Sequence, residues 1–294
     1  MKHTALLMIV TVFCAVVWAN LYAAEPAPPL EKPGWKLTFH DEFDKPLLND
    51  LYWYPAYRTG RIEYLKRIGA EGIYQDPNAY YKLEDGILKL MIDEKIPSRS
   101  KKSDRAVSCI MTSDHRFGNT IQEYQLLEKF AQKYGWFETR CKTVTGSGVY
   151  CAFWLHQTDP LDQEVTPEGR RKNVGEGVVE IDIFEQLGKD TKAGLNLFNI
   201  HFTKDAHYTL PMGFDPSEDF HVYAMEWKTN EINWYVDGKV IQSYKGETPK
   251  KKMFILLALF HRYLPDWAGE LDPNLTYPKT FEVDYVRVYL PEEK

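Results

Sequence analysis

From Trp35 onward the chain is a series of short runs in which apolar and polar residues alternate. A period of two is typical of a β-strand with one buried face, and Gly, Pro, Asn and Asp separate these runs. The clearest runs are WKLTFHDEF, GILKLMI, GWFETRCKTV, VYCAFWLH, VVEIDIF, LNLFNIHFT, FHVYAMEW, EINWYVDGKVIQSY, MFILLALF and FEVDYVRVYL. Short strands at this spacing predict an all-β sandwich or barrel.

Turns and longer connections divide this strand pattern. EINWYVDGKVIQSY predicts a hairpin with Asp237-Gly238 at its turn. Only the segment Ile121 to Lys133 has helical character. Long loops on a rigid sandwich often carry specificity, and three stretches predict such loops: Tyr57 to Pro77, Ile96 to Arg105 and Thr158 to Gly177.

The run VVEIDIFEQLG breaks its own alternation. Glu180 and Asp182 share a strand face, but the next acid comes at Glu185 instead of position 184. A Glu-x-Asp pair alone usually marks a solvated outer face. In a regular strand, however, Glu185 would point into the core, which is costly for a carboxylate. A β-bulge at Ile183-Phe184 would return Glu185 to the face of the other two acids, and bulges are frequent beside active sites.

Three carboxylates on one face suit glycosidic bond hydrolysis. That reaction uses one carboxyl group as an acid and a second as a base or nucleophile. The acid between the two glutamates can hold their pKa values apart, so that one is ionised and the other protonated. The spacing along the strand leaves both stereochemical outcomes open.

The N-terminus has the order of a secretory signal. Lys2 and His3 precede an apolar run that is short for a membrane span, and small residues follow at a cleavage region. We therefore expect a signal peptide at residues 1–24, a Pro-rich tether that does not pack at 25–34, and one catalytic domain at 35–294. This organisation predicts a secreted, periplasmic or cell-surface protein with no membrane span after cleavage.

The charge of the chain limits the classes of partner that it can bind. The net charge of the 294-residue chain is −6 without a dominant basic stripe, which argues against nucleic acid as a partner.

Three cysteines remain beyond the predicted signal peptide: Cys109, Cys141 and Cys151. Cys141 and Cys151 flank a turn signal and can be paired across a hairpin. The favoured alternative is that all three are small buried side chains. No Cys-x-x-Cys pair indicates zinc.

The motif and its flanks resemble glycoside hydrolase family 16. EIDIFE matches the bulged E-x-D-x-x-E signature of its laminarinase, agarase and carrageenase branch, whereas another branch carries the shorter E-x-D-x-E. WKLTFHDEFD, YGWFETRCK, AFWLH and FEVDYVRVYL resemble further family strands in the family's order. The resemblance implies a concanavalin A-like jelly-roll sandwich of two curved antiparallel sheets with a concave substrate cleft.

The resemblance assigns roles to individual positions. It implies that Glu180 is the nucleophile, Asp182 the assisting acid and Glu185 the general acid/base. Trp154 resembles a cleft tryptophan, and His201 resembles a histidine near the catalytic carboxylates, with an ordinary strand histidine as its alternative. The remaining candidates for substrate binding are Tyr150, Trp267, which can instead be a core or loop anchor, and Arg140.

The implied activity is retaining endo-hydrolysis of a β-linked polysaccharide by a monomer. A β-1,3-glucan is placed first, ahead of a β-galactan such as agar, porphyran or carrageenan. The resemblance allows a structural calcium ion, such as family members often carry, and no other cofactor is expected. YCAFW departs from the family's W-P-A-F-W, which leaves substrate identity open. The competing interpretations are a lectin-like carbohydrate-binding module, which does not need three aligned carboxylates, and a transglycosylase.

Overall fold

The computed structural model describes most of the chain from residue 27 onward. It covers residues 27–55, 81–92, 105–113, 128–158, 163–165, 171–173, 179–202, 205–262 and 264–293. The predicted signal peptide at 1–24 lies outside these ranges, as do nearly all of the first two predicted loops and most of the third. Within them, no helix is long and apolar enough to cross a membrane.

Two antiparallel sheets make up most of the described fold. The larger has eight strands: β1 (Trp35–Asp41), β2 (Tyr81–Glu84), β3 (Ile87–Ile92), β5 (Gly135–Lys142), β12 (His221–Lys228), β13 (Glu231–Val236), β14 (Lys239–Lys245) and β16 (Lys279–Pro291). The smaller has six: β4 (Arg105–Met111), β6 (Val149–Gln157), β9 (Glu180–Leu187), β10 (Leu195–His201), β11 (Ala206–Pro211) and β15 (Met253–Arg262). A short pair, β7 (Gln163–Val165) and β8 (Arg171–Asn173), stands apart.

The strand order shows a jelly-roll sandwich. The six-stranded sheet runs β11-β10-β9-β6-β15-β4, and the larger runs β14-β13-β12-β5-β16-β3-β2 with β1 paired to β16. Many sequence neighbours are therefore not sheet neighbours, as Greek-key connections require. The predicted all-β sandwich of two antiparallel sheets is confirmed.

One apolar core lies between the two sheets. It joins Phe137 and Trp234 of the larger sheet with Phe153, Ile181 and Ile255 of the smaller. Alternation then leaves the other face of the six-stranded sheet free for chemistry. We call it the site face, and it carries Tyr150, Ala152, Trp154, Leu256 and Phe260.

The predicted hairpin is confirmed, whereas the predicted helix is wrong over its described part. Asp237 and Gly238 both have positive φ (47° and 73°), as a two-residue type I′ turn requires, and they join β13 to β14. Residues 128–133 are not helical. Gln132 instead forms a β-bridge with Met253, so this segment continues the sheet edge. Residues 121–127 lie outside the described ranges.

The cysteines follow the favoured alternative. Cys109, Cys141 and Cys151 are all free and buried. Cys141 lies in the larger sheet and Cys151 in the smaller, so the TGSG turn between them connects two sheets and does not close a hairpin. Burial raises the pKa of all three thiols, which keeps them protonated and unreactive.

The Pro-rich segment ahead of β1 packs against the domain where it is described, contrary to its prediction as a tether. The guanidinium of Arg287 donates to the carbonyl oxygen of Pro28 at 2.7 Å, and the hydroxyl of Tyr289 donates to that of Leu30 at 3.0 Å. The ammonium group of Lys32 lies 3.8 Å from the ring centre of Trp136. Composition suggested an unpacked linker, but proline leaves its carbonyl oxygen available as an acceptor.

Replacing Arg287 with alanine is expected to lower the free energy of unfolding by about 2–4 kcal/mol. The side chain is 3% exposed and forms a two-pronged ion pair with Glu42, with distances of 2.9 and 2.6 Å. Its loss also removes the donor that holds Pro28. Urea unfolding monitored by tryptophan fluorescence measures the change.

The matched control is Lys82→Ala, which breaks an exposed ion pair with Glu84. Such pairs contribute under about 1 kcal/mol. Equal losses in the two variants would contradict a structural role for the Arg287 network.

Candidate active site

The acidic motif EIDIFE, residues 180–185, contains the predicted β-bulge. Along β6, Ala152 pairs with Glu185 and Trp154 pairs with Asp182, so three residues of β9 span the interval that two residues span on β6. The register with β10 shifts at the same place. Ile183 and Phe184 are both fully buried in the core between the sheets. The bulge therefore absorbs the extra residue into the core and returns Glu185 to the site face.

All three acids of the motif lie on the site face. Glu180 pairs with His156 and His201, Asp182 with Trp154 and Asn199, and Glu185 with Ala152 and Leu197. The strand ends at Leu187, and at Gly188, the next residue, a Cβ atom would lie 2.2 Å from the carbonyl oxygen of Gly146. Only glycine permits this approach, so it fixes where the catalytic strand leaves the sheet.

The backbone of the bulge is hydrogen-bonded to a side chain of the opposite sheet. The indole nitrogen of Trp234 donates to the carbonyl oxygen of Asp182 at 3.0 Å, and both residues are almost fully buried. An unpaired carbonyl at this depth would be costly, so the bond stabilises this local geometry. The larger sheet thus helps to position the acids although it contributes none of them.

Asp182 and Glu185 share one amide donor. The side-chain nitrogen of Asn199 donates to Glu185 at 2.7 Å and to Asp182 at 3.1 Å. Its oxygen lies 3.2 Å from Nδ1 of His207, which holds the amide in this orientation because a carboxylate requires the donor side. Nε2 of His201 lies 3.4 Å from the carboxylate of Asp182. With 1% exposure, Asp182 depends on these partners.

The surroundings of Glu185 increase its affinity for a proton. Burial, followed by the charges of Asp182 and Glu180 and a hydrogen bond to Asp182, raises the pKa of Glu185 well above its usual range. The hydrogen bond to Asp182 raises the pKa of His201, and nearby acidic charges add to the effect against burial. A protonated Glu185 can donate a proton at near-neutral pH, as a general acid must.

The aromatic candidates divide into two kinds. Trp154 lies beside Asp182 on the site face, and its buried indole nitrogen has no hydrogen-bond partner in the described part of the chain. Tyr150 is 4% exposed, stacks on Phe260 at 4.6 Å and meets Trp267 edge-on at 4.7 Å. Tyr150 therefore packs in an aromatic cluster on the site face, and its contact with substrate stays a prediction.

Arg140 was wrongly predicted as a substrate-binding residue. It lies in β5 of the larger sheet, where it forms an ion pair with Asp284 at 2.7 Å and stacks over Phe220. Its strand neighbours Phe137 and Cys141 face the core, so alternation turns Arg140 to the outer surface of the opposite sheet. The arginine has an anionic partner there and cannot reach the carboxylates.

Sequence reasoning missed three residues that hold the site together: Asn199, His207 and Trp234. Asn199 had a detectable signal, because it precedes His201 by two positions and so shares its strand face. His207 and Trp234 had none, since their contacts depend on which strands become neighbours. The structural calcium that the resemblance allows stays a prediction. Of the two His/Cys/Asp/Glu clusters of the described residues that could hold a metal, one includes Glu180 and Asp182, and the other shares His201 with it.

Comparisons with known proteins agree with this geometry. Residues 94–287 match the sequence model of glycosyl hydrolases family 16. A β-glucanase of Acetivibrio thermocellus is 31% identical over 186 residues, which is 61% of this chain and 50% of that protein. The chain thus spans about half the length of the curated relatives that head this comparison.

Solved structures give the same result for the fold. The catalytic domain of an endo-1,3-β-glucanase (laminarinase) from Thermotoga petrophila superposes with a TM-score of 0.64 and 26% identity, covering 88% of this chain and 99% of that one. A GlcNAcα1-4Gal-releasing endo-β-galactosidase from Clostridium perfringens has a TM-score of 0.67 at 24% identity, over 90% of this chain and 65% of that one. At 24% identity the second match concerns the fold alone.

Proposed function

Because the chain belongs to glycosyl hydrolases family 16, we propose that it is a retaining endo-glycosidase acting on a β-linked polysaccharide. The observation that carries the proposal is the row of Glu180, Asp182 and Glu185 on one face, where burial and the neighbouring acidic charges raise the pKa of Glu185 well above its usual range. A carbohydrate-binding module has no use for a carboxyl group whose pKa is raised in this way.

The proposed reaction proceeds in two steps. Glu180 attacks the anomeric carbon while the carboxyl group of Glu185 protonates the departing glycosidic oxygen. Glu185, now ionised, removes a proton from water, which releases the sugar from Glu180 and restores both groups. Asn199 keeps Glu185 and Asp182 oriented through the two hydrogen bonds described above.

We place a β-1,3-glucan first as the substrate and a β-galactan second. The laminarinase catalytic domain, covered almost completely by this chain, supports the glucan. The deciding experiment incubates purified protein with laminarin, mixed-linkage β-glucan, agar, porphyran and carrageenan, and then measures reducing ends and product sizes. Oligosaccharides from laminarin alone would support the proposal. Products from a galactan alone would change the proposed substrate from a β-1,3-glucan to a β-galactan. If no polymer gave products, hydrolysis of these substrates would be rejected.

The remaining parts of the proposal concern the state of the protein. We propose export through the segment 1–24 and action as a monomer. Transfer of the glycosyl group to a sugar in place of water is the alternative outcome of the second step. Labelled acceptor oligosaccharides would reveal it, and N-terminal sequencing of the exported protein together with light scattering would test the other two points.

Replacing Trp154 with phenylalanine is expected to lower kcat/KM on the preferred polymer by about 3- to 10-fold. The indole lies beside the acids on the site face, and it offers a sugar ring more area to pack against than a phenyl ring does. A loss of about 1 kcal/mol of aromatic packing corresponds to this factor. Steady-state kinetics with size-defined oligosaccharides measure the change.

Trp227→Phe provides a matched control. Trp227 also has a buried, unpartnered indole nitrogen among the described residues, but it lies in the core between the sheets. This variant should lose stability without a change in kcat/KM. If the two variants had the same kinetic effect, Trp154 would not be a substrate contact.

A further inference from the structure

Two imidazoles and a carboxylate meet at the end of the β10–β11 hairpin, next to the catalytic acids. Asn199 of β10 pairs with His207 of β11, which places His207 on the site face with Asn199 and His201. Asp205 stands at the start of β11 and completes the group. One ligand atom from each of His201, Asp205 and His207 lies within 4.8 Å of the others.

We propose that His201, Asp205 and His207 form a binding site for a divalent transition metal of the zinc class. Two imidazole nitrogens and one carboxylate oxygen are a ligand set that suits zinc and leaves a fourth position open. In a tetrahedral site with bonds of 2.0–2.1 Å, the ligand atoms lie about 3.4 Å apart. The three groups therefore need to approach by at most about 1.4 Å, which rotation of exposed side chains allows.

Each of the two histidines has one ring nitrogen near an oxygen of a neighbouring side chain, as metal-binding histidines commonly do. Nδ1 of His207 lies 3.2 Å from the amide oxygen of Asn199, and Nε2 of His201 lies 3.4 Å from the carboxylate of Asp182. Metal-binding histidines commonly donate their second N–H to a carbonyl or carboxylate, which fixes the ring and leaves the other nitrogen free to coordinate. The free Nε2 of His207 faces the carboxylate of Asp205 at 4.0 Å.

The three proposed ligand side chains are exposed to solvent, so a metal ion can reach them. The side chains of His207 and Asp205 are each 55% exposed, and that of His201 is 38% exposed. The ion would enter from the edge of the sheet, because β11 is the outermost of the described strands on that side. A calcium-type ion is not expected here, since calcium prefers oxygen ligands in larger number.

The binding test uses tag-free, metal-stripped full-length protein, titrated calorimetrically with zinc chloride and spectroscopically with Co²⁺. We expect one Zn²⁺ per chain and a visible Co²⁺ absorption that Zn²⁺ removes and excess Ca²⁺ does not. His207→Ala should weaken Zn²⁺ binding by more than about tenfold. Loss of a residue that only orients a metal ligand already costs about tenfold, and His207 is itself a proposed ligand. Asp205→Asn should also weaken it, while its amide oxygen can still accept the N–H of Phe202, so that this hydrogen bond is retained.

His40→Ala is the matched control, because His40 is a part-exposed histidine beside a carboxylate on the other sheet. It should bind Zn²⁺ like the unaltered protein. Absence of Zn²⁺ binding would overturn the proposal. Binding that both His207→Ala and Asp205→Asn leave unchanged would also overturn it and would place the ion on the adjoining group of Glu180, Asp182 and His201.

A consequence for catalysis rests on the proposed function. A metal on His201 would engage the side chain that contacts Asp182, so Zn²⁺ should inhibit hydrolysis and a chelator should restore it. In His207→Ala the same Zn²⁺ concentration should inhibit less, relative to that variant's own metal-free rate. Because binding is measured without substrate, its failure is distinguishable from failure of the hydrolase assignment.

Discussion

Replacing Glu180 with glutamine is expected to reduce hydrolysis by on the order of 10⁴- to 10⁶-fold, as loss of a nucleophile does in other covalent mechanisms. The amide keeps the size of the carboxylate but cannot form the glycosyl-enzyme intermediate. Glu180 pairs with His156 and His201 on the site face, so the substitution leaves the strand register intact. The polymer assay and far-UV circular dichroism would be compared with those of unaltered protein.

Azide rescue separates a nucleophile from a residue that is merely required for folding. In Glu180→Ala, azide can occupy the vacated space and attack the anomeric carbon of an activated glycoside, giving a product of inverted configuration. The matched variant is Glu226→Ala, because Glu226 lies in the larger sheet and contacts Asn233 and Tyr235. It should retain activity and show no azide effect. Unreduced activity in Glu180→Gln would contradict the proposed mechanism.

The second large effect is expected for Glu185→Gln, which should lower the rate on polymer by about 10²- to 10⁴-fold. The loss should be much smaller for an aryl glycoside, because a good leaving group departs without protonation. The unaltered protein should lose activity as pH rises through the raised pKa of Glu185, since only its protonated form is an acid. Rate profiles between weakly acidic and alkaline pH measure this.

The pH profile distinguishes a general acid from a structural carboxyl group. In Glu185→Gln the loss of activity on the alkaline side should disappear for the aryl glycoside, because position 185 no longer titrates. The groups that face Glu185 are Asp182, Glu180 and Asn199, and only the first two carry charge. An unchanged alkaline loss would assign it to another group and remove Glu185 from the acid role.

Local pattern was sufficient to predict the strands and the bulge. Alternation has a fixed period, so one acid out of step at Glu185 indicated an extra residue, and the pairing of β9 with both neighbours confirms it. The helix at Ile121 to Lys133 failed in its described part because Gln132 gains a β-bridge with Met253, a partner far along the chain. Propensity describes isolated segments and cannot include such a partner.

The rest of the site required knowledge of strand neighbours. Arg140 was misplaced because a strand's pattern gives two faces without stating which sheet it joins. Trp234 and His207 acquire their roles only when β13 packs beneath β9 and β11 pairs with β10. Packing of Pro28 depends likewise on Arg287, which lies 259 residues away in sequence.

The bulge makes the catalytic strand tolerant of a change in length. An in-frame deletion of the Ile183 codon would leave Glu-Ile-Asp-Phe-Glu, in which strict alternation already keeps the three acids together. The extra residue contributes a side chain to the core and nothing to the polarity of the site face, since Ile183 and Phe184 are both buried. One codon can thus be lost at this position while the three acids stay on one face of the strand, and the cost falls on the core, which loses one buried side chain.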